Sequence, residues 1–459
     1  MQQKNVPIGL LVVFSLPAIV QSLMHVPANT VLQGVYAKEF GVTVTALGIA
    51  LVIAKLFDAI SDPLIGQLSD RFFAKYHTRK PFLLIGTLIS VPSVWFLYTP
   101  PADPSVFWFG GWFIAAYLGW TITEVPYKAW SFELSSNYEK RTFIQTLLTF
   151  WSFLGAALFF LLPVVSVSQG WADNQEVTGQ TLALAAMIIV VAMPLLLLLI
   201  ISTVPDGQIH ATNKTDSLAE VFQSLVQNKP LLYLIVLYVI VGIGGGMNQA
   251  LSFFYIGNYL GIPEQYAIII FISLLFALLG APLGMLLCYL FQKHVAWAIS
   301  VAIMILPNLC ILFFVEPGEA AFGPMVACIA VALIGYAAGA VSVASMLGDV
   351  VDYGIWKFGQ DRAGTYSSVY TFCAKLVAAL GNGLGLILIG SMGFDAQADV
   401  VTEQAALGLK LGYLVFPVIG MVVVIPFILK YQITREKHTE ILAGIEERDR
   451  QAGLIPAED

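Results

Sequence analysis

Residues 55–71 read KLFDAISDPLIGQLSDR, and they set Lys55, Asp58 and Asp62 directly after the apolar run VTVTALGIALVIA. Residues three or four apart share a helix face, so these three side chains point one way. Two neighbouring carboxylates resist simultaneous ionisation unless a positive charge joins them. The chemistry this suggests is reversible capture of a hard cation such as sodium, or of a proton. The alternative is a static brace in which Lys55 permanently neutralises one of the acids. Asp62 precedes Pro63, which is expected to bend the helix beside these groups.

Other polar groups interrupt apolar segments in the same way. TEVPYKAW places Glu124 beside Pro126, with Lys128 four residues on. Glu124 is expected to bind substrate, the alternative being a local Glu124–Lys128 pair. Lys375 stands isolated in TFCAKLVAALGNG; it is expected to face acids of the N-terminal half and to contact substrate. Gln21, His25 and Asn29 recur every four residues around Pro27, a stripe suited to hydrogen-bonding a polyol. GIGGGMNQ offers Asn248 as a further substrate contact. The pairs Gly242/Gly246, Gly335/Gly339 and Gly381/Gly385 fit the small-residue spacing of close helix packing. GNGLG is no nucleotide fingerprint, because no strand precedes it.

These groups need a scaffold, and composition says what kind. Of 459 residues, 58% are hydrophobic and 11% charged, against about 25% charged in soluble domains. The solvent is therefore largely lipid. Apolar runs near 9–36, 45–69, 81–100, 106–128, 142–166, 181–203, 231–259, 264–290, 295–315, 320–348, 364–392 and 406–431 are each long enough to cross it. With the N-terminus inside, eighteen Lys and Arg fall on the inner side and two on the outer. The expected fold is all-α and polytopic: twelve helices in two pseudo-symmetric bundles, 1–203 and 231–431, both termini cytoplasmic. Residues 204–230 form an inner linker, with Leu218, Val221, Phe222 and Leu225 on one face of a helix capped by Asp216 or Ser217. Residues 432–459 form a cytoplasmic tail carrying Ile441, Leu442 and Ile445. Six plus six around a linker suggests a repeated transporter architecture. The four cysteines sit in apolar runs, the five histidines form no metal set, and the net charge of −7 argues against nucleic acid. No nucleophile, metal set or nucleotide loop suggests an enzyme.

DAISDPLIGQLSDR followed by HTRKPFLLIG resembles the second helix and following loop of the glycoside–pentoside–hexuronide:cation symporters, a branch of the major facilitator superfamily. MLGDVVDYGIWKFGQDRAGTYSSVYTFCAKL is similar to that family's D-x-x-D-Y motif and helix-eleven lysine, and TEVPYKAW to its fourth-helix sugar site. The resemblance implies cation-site acids at Asp58 and Asp62, with Lys55 as the basic position before them. It further implies a cytoplasmic gate of Arg141, Asp349, Asp352 and Arg362, a central Lys375 and a sugar-binding Glu124. One departure is that the first helix carries no sugar-binding acid, only Gln21, His25 and Asn29. The expected function is inward symport of a sugar or glycoside with sodium or protons. No cofactor beyond the ion is implied; the partners are a small solute and the bilayer, the protein a monomer in a bacterial inner membrane. Two rivals are a cation-coupled carrier of an amphiphile on the same fold, and a non-transporting membrane sensor or enzyme.

Overall fold

The structure is a computed structural model that describes residues 6–134, 138–206, 225–359 and 362–451; every regular element among them is helical. Twelve of its helical stretches are long and apolar enough to cross a membrane, the number expected. By compactness the chain forms two units. One comprises Met1–Thr212, Gln249–Phe271 and Asn382–Leu409, the other Asn213–Asn248, Ile272–Gly381 and Lys410–Asp459. Most of the expected 204–230 linker, including Asp216, Ser217, Leu218, Val221 and Phe222, lies outside the described residues.

The first unit opens with a span broken into α1 (Ile8–Ser15), α2 (Pro17–Thr30) and α3 (Leu32–Phe40). The breaks have local causes. Pro17 brings no N–H to the helix, and Leu16 N bonds back to Val13 O in a tighter turn. Gly41 takes the left-handed conformation that closes α3. There follow α4 (Val44–Tyr76), α5 (Lys80–Tyr98), α6 (Val106–Glu133), α7 (Tyr138–Ser168) and α8 (Gly179–Thr203). The Ser105 hydroxyl accepts from Trp108 N to start α6, and Thr178 with Thr181 forms a capping box at α8.

Tyrosines tie the broken first span down. Tyr98 Oη donates to Met24 O at 2.5 Å, and Tyr127 Oη to Phe14 O at 2.5 Å. Both are buried hydroxyls with their hydrogen bonds made. Glycines set the spacing of α5 and α6: a Cβ on Gly86 would meet Gly119 O at 2.7 Å, so the two backbones touch.

Arg79, 7% exposed, locks the ends of α4, α5 and α6 together. It donates to Ser69 Oγ at 2.6 Å, Asp70 Oδ1 at 2.8 Å and Glu133 Oε1 at 2.7 Å. Asp70 is largely exposed and contributes little. Arg79→Gln takes the guanidinium from the mostly buried Glu133. Breaking such a pair costs about 3–5 kcal/mol, so the thermal midpoint of the purified protein in detergent is expected to fall sharply. A midpoint within a degree of the unaltered protein would show that the lock carries no stability.

The second unit holds most of α9 (Lys229–Phe254), half of α10 (Tyr266–Ala277), α11 (Gly280–Leu290), α12 (Lys293–Phe314), α13 (Phe322–Phe358) and the first part of α14 (Ala363–Ser391). α15 (Glu403–Lys410) belongs mainly to the first unit, α16 (Phe416–Ile428) and α17 (Arg435–Gln451) to the second. The expected glycine contacts appear here: a Cβ on Gly381 would meet Gly246 Cα at 2.9 Å, and one on Gly335 would meet Ser300 O at 3.0 Å. The tail is amphipathic, though not in every position expected. Ile441 is fully buried and Ile445 packs beside it, while Leu442, one position round the helix, is 45% exposed. Gly444 lets α17 lie against Trp356, and Arg435 Nη2 donates to Tyr289 O at 3.2 Å and Phe291 O at 3.3 Å, closing the end of α11.

Candidate functional site

α4 delivers Asp58 and Asp62 to the same neighbour. Thr121 Oγ1 on α6 lies 2.8 Å from Asp58 Oδ1 and 2.9 Å from Asp62 Oδ1. Both carboxylate oxygens are thus within the sum of two hydrogen bonds of one another. Thr121 is fully buried and Asp58 is 5% exposed. A hydroxyl carries one proton, so it serves one acid at a time, and a hydrogen bond does not remove a carboxylate's charge. The three oxygens form a compact set of hard ligands, the donor type that a sodium ion prefers over nitrogen or sulfur. Sequence reasoning found the two acids and missed the threonine.

Lys55, one turn before Asp58, places its ammonium 3.7 Å from the centroid of the Tyr117 ring and 6.0 Å from that of Phe113. This is a close cation–π contact. Tyr117 Oη donates to Asn29 Oδ1 at 3.1 Å. The Asn29 amide nitrogen in turn lies 3.2 Å from the His25 ring nitrogens and donates to His25 O at 2.7 Å. The His25 ring is 5.0 Å from that of Trp120. Trp120 Nε1 donates to Glu124 Oε2 at 2.6 Å, and Glu124 Oε1 pairs with Lys128 Nζ at 2.6 Å. The local Glu124–Lys128 pair is therefore present, with the Lys128 side chain 57% exposed and that of Glu124 13% exposed. Of the first-span stripe, His25 and Asn29 come together, while Gln21 is buried one turn earlier.

Tyr117, Trp120 and Thr121 escaped sequence reasoning because none is charged. A signal existed: positions 117, 120, 121, 124 and 128 recur at helical spacing and form one face of α6.

Asn248 and Lys375 lie in the second unit. Asn248 Nδ2 donates to Tyr413 O at 2.9 Å, and Lys375 is half-buried on α14. The expected gate residues Asp349 and Asp352 sit on α13, one turn apart. Asp349, 4% exposed, accepts from Lys293 Nζ at 2.5 Å. His438 Nε2, from α17, lies 2.8 Å from Asp352 Oδ2 and 3.4 Å from Asp349 Oδ1. Burial, with Asp349 nearby, pushes the Tyr431 phenol far above its ordinary value. Lys293 and His438 were not foreseen, since neither stands near the acids in sequence. Arg362 precedes α14, its carbonyl accepting from Tyr366 N at 3.0 Å, and the Arg141 side chain lies outside the described residues. The four cysteines are free and half-buried.

A family model described as MFS/sugar transport protein matches residues 13–435. The chain belongs to this family. It is a multi-pass membrane transporter of the major facilitator superfamily, of the glycoside–pentoside–hexuronide type the motifs resembled, and not an enzyme. It is 25% identical over 426 residues to the uncharacterized symporter YjmB of Bacillus subtilis, covering 89% of this chain and 88% of that one. It is 21% identical to the isoprimeverose transporter of Lactiplantibacillus pentosus, covering 93% and 89%. Among solved structures, a mutant of the nucleoside transporter NupG aligns with a TM-score of 0.65 at 14% identity, over 92% of this chain and all of that one. That likeness bears on fold alone, and it agrees with the twelve-helix architecture.

Proposed function

We propose that this protein is a secondary active symporter that carries a sugar or glycoside inward together with sodium or a proton. The observation that carries the reading is the pair of carboxylates converging on the Thr121 hydroxyl, beside an aromatic ring bonded to a third carboxylate at Trp120–Glu124. The first set suits a cation; the second suits a pyranose, whose apolar face stacks on an indole and whose hydroxyls donate to a carboxylate. The cation enters first, relieves the repulsion between Asp58 and Asp62, and orders the substrate side next to it. The loaded carrier then reorients at lower cost than the half-loaded one, which is the basis of coupling. Similarity to a transporter named for isoprimeverose supports a sugar cargo. The inner-side excess of Lys and Arg supports cytoplasmic termini in a bacterial inner membrane. No cofactor besides the ion is needed, and a monomer suffices.

The test is a thermal-shift panel on purified protein with isoprimeverose, lactose, raffinose and methyl β-glucuronide, each in sodium chloride and in choline chloride and at two pH values. A sugar at 100 times its dissociation constant stabilises the folded state by about 2.7 kcal/mol. We expect at least one sugar to raise the midpoint, and to do so more with the coupling ion present. An apolar cavity of about 320 Å³ between α2, α7 and α8 favours the rival amphiphilic cargo. A lysolipid arm of the same panel decides between them: ion-dependent stabilisation by lysolipid and by no sugar would overturn the sugar reading.

A further inference from the structure

Lys55 and Glu124 are joined by an unbroken run of contacts inside the first unit. The Lys55 ammonium lies on the Tyr117 ring, the Tyr117 hydroxyl on Asn29, the Asn29 amide on His25, the His25 ring on Trp120, and the Trp120 indole on Glu124. Tyr117 stands at the middle. Its ring face meets the cation side and its hydroxyl meets the substrate side, and the residue is 6% exposed. We propose that Tyr117 is the positioning residue through which occupation of the Asp58–Asp62 pair is felt at the substrate side. This rests on the reading given under Proposed function.

Lys55 lies one helical turn from Asp58. Without a bound cation, its ammonium is attracted both to that acid and to the Tyr117 ring. A cation between the acids repels the ammonium and removes one reason for it to lean their way. The ring, held in a stack with Phe113 at 4.6 Å between centroids, is then the favoured seat. Pinning the ring pins its hydroxyl, which donates to Asn29 Oδ1. The Asn29 amide is the element with two states. Its ends differ in hydrogen-bond sense, and a donor at Oδ1 turns the amide nitrogen toward His25. Remove that donor and the amide loses the constraint that orients it, while the cation site and Trp120–Glu124 keep all their atoms. Spatial sequence alone does not prove coupling; a change in the coupling factor does.

The experiment measures sugar affinity by the panel above with and without sodium, and sodium affinity with and without sugar, in the unaltered protein, Tyr117→Phe and Asn29→Ala. Phe keeps the ring on which Lys55 rests and lacks the hydroxyl. Coupling free energies between sites typically correspond to 5–150-fold changes in affinity. The unaltered protein is expected to fall in that range and both variants below about threefold. In Tyr117→Phe each ligand alone binds within about threefold of normal, and in Asn29→Ala sodium alone does, the lost polyol contact lowering sugar affinity by the same factor with and without sodium. Reciprocity requires the two measured factors to agree in each protein, so a folding defect, which weakens both ligands separately, is told apart from lost coupling. Retention of the full factor in Tyr117→Phe and Asn29→Ala overturns the relay and leaves the symport reading standing. Absence of any effect of sodium, and of pH across the two values of the panel, on sugar binding in the unaltered protein overturns both.

Discussion

Replacing either Asp58 or Asp62 by Asn is expected to abolish concentrative uptake in energised vesicles while leaving a folded, membrane-inserted protein. The two acids converge on one hydroxyl within the span, Asp58 and Thr121 buried and Asp62 half-buried, where an ionised side chain costs at least about 2.5–3.5 kcal/mol unless matched. A bound cation supplies that match from two carboxylates at once. Taking away one of them removes attraction of the same order, so cation affinity should fall by about 100-fold or more. The sign of the stability change is the sharper part. With no cation present, two carboxylates repel each other, and an amide at one position relieves that repulsion. The Asp58→Asn and Asp62→Asn variants should therefore unfold at the same temperature as the unaltered protein or higher in choline chloride, and lose the stabilisation that the coupling ion confers. A mutation that merely damaged packing would lower the midpoint in both salts. If accumulation survives both substitutions, the acids are not the cation site.

What could be read from the sequence depended on whether a residue's cost was visible without its neighbours. Asp58, Asp62, Glu124 and Lys55 announce themselves because charge in an apolar run is expensive wherever it points. The twelve spans are legible for the same kind of reason: hydrocarbon imposes length and apolarity on every helix separately. Thr121, Tyr117 and Trp120 are ordinary in an apolar helix. Their importance arises when α6 meets α4 and α2, and that meeting is a tertiary event. His438 and Lys293 show the same limit from the other side. They are polar and visible, but each stands more than fifty residues from Asp349, and no local pattern connects them. The glycine pairs at four-residue spacing were readable as packing surfaces. The pair nearest the site was not, because Gly86 and Gly119 lie on different helices.

That pair yields the other large effect. Gly119→Ala adds a single methyl group to α6, yet it is expected to reduce uptake by about two orders of magnitude. An ideal Cβ at position 119 would stand 2.8 Å from Gly86 O and 2.8 Å from Ser90 Cα, both backbone atoms of α5. A flexible side chain could swing away; a helix backbone must be displaced as a body. Overpacking of this kind costs typically about 1–3 kcal/mol, and relief comes from parting α5 and α6. Trp120 and Thr121 follow Gly119 directly, and Tyr117 precedes it by two. A shift of α6 therefore moves the hydroxyl that both acids share, the indole that holds Glu124 and the ring under Lys55. In enzyme sites a misplacement of about 1 Å costs on the order of 100-fold, and the oxygens here have hydrogen-bond tolerances no looser than that. Gly86→Ala approaches the same contact from α5, with Gly119 O and Thr123 N at 2.7 Å, and should give the same phenotype. Gly111→Ala is the control: it lies on the same helix, and its added Cβ meets nothing within 4 Å. Uptake by the Gly111→Ala variant should match the unaltered protein, and initial uptake rates for the three variants at equal membrane levels provide the comparison. If Gly119→Ala transports as well as Gly111→Ala, the α5–α6 backbone contact does not set the position of the site.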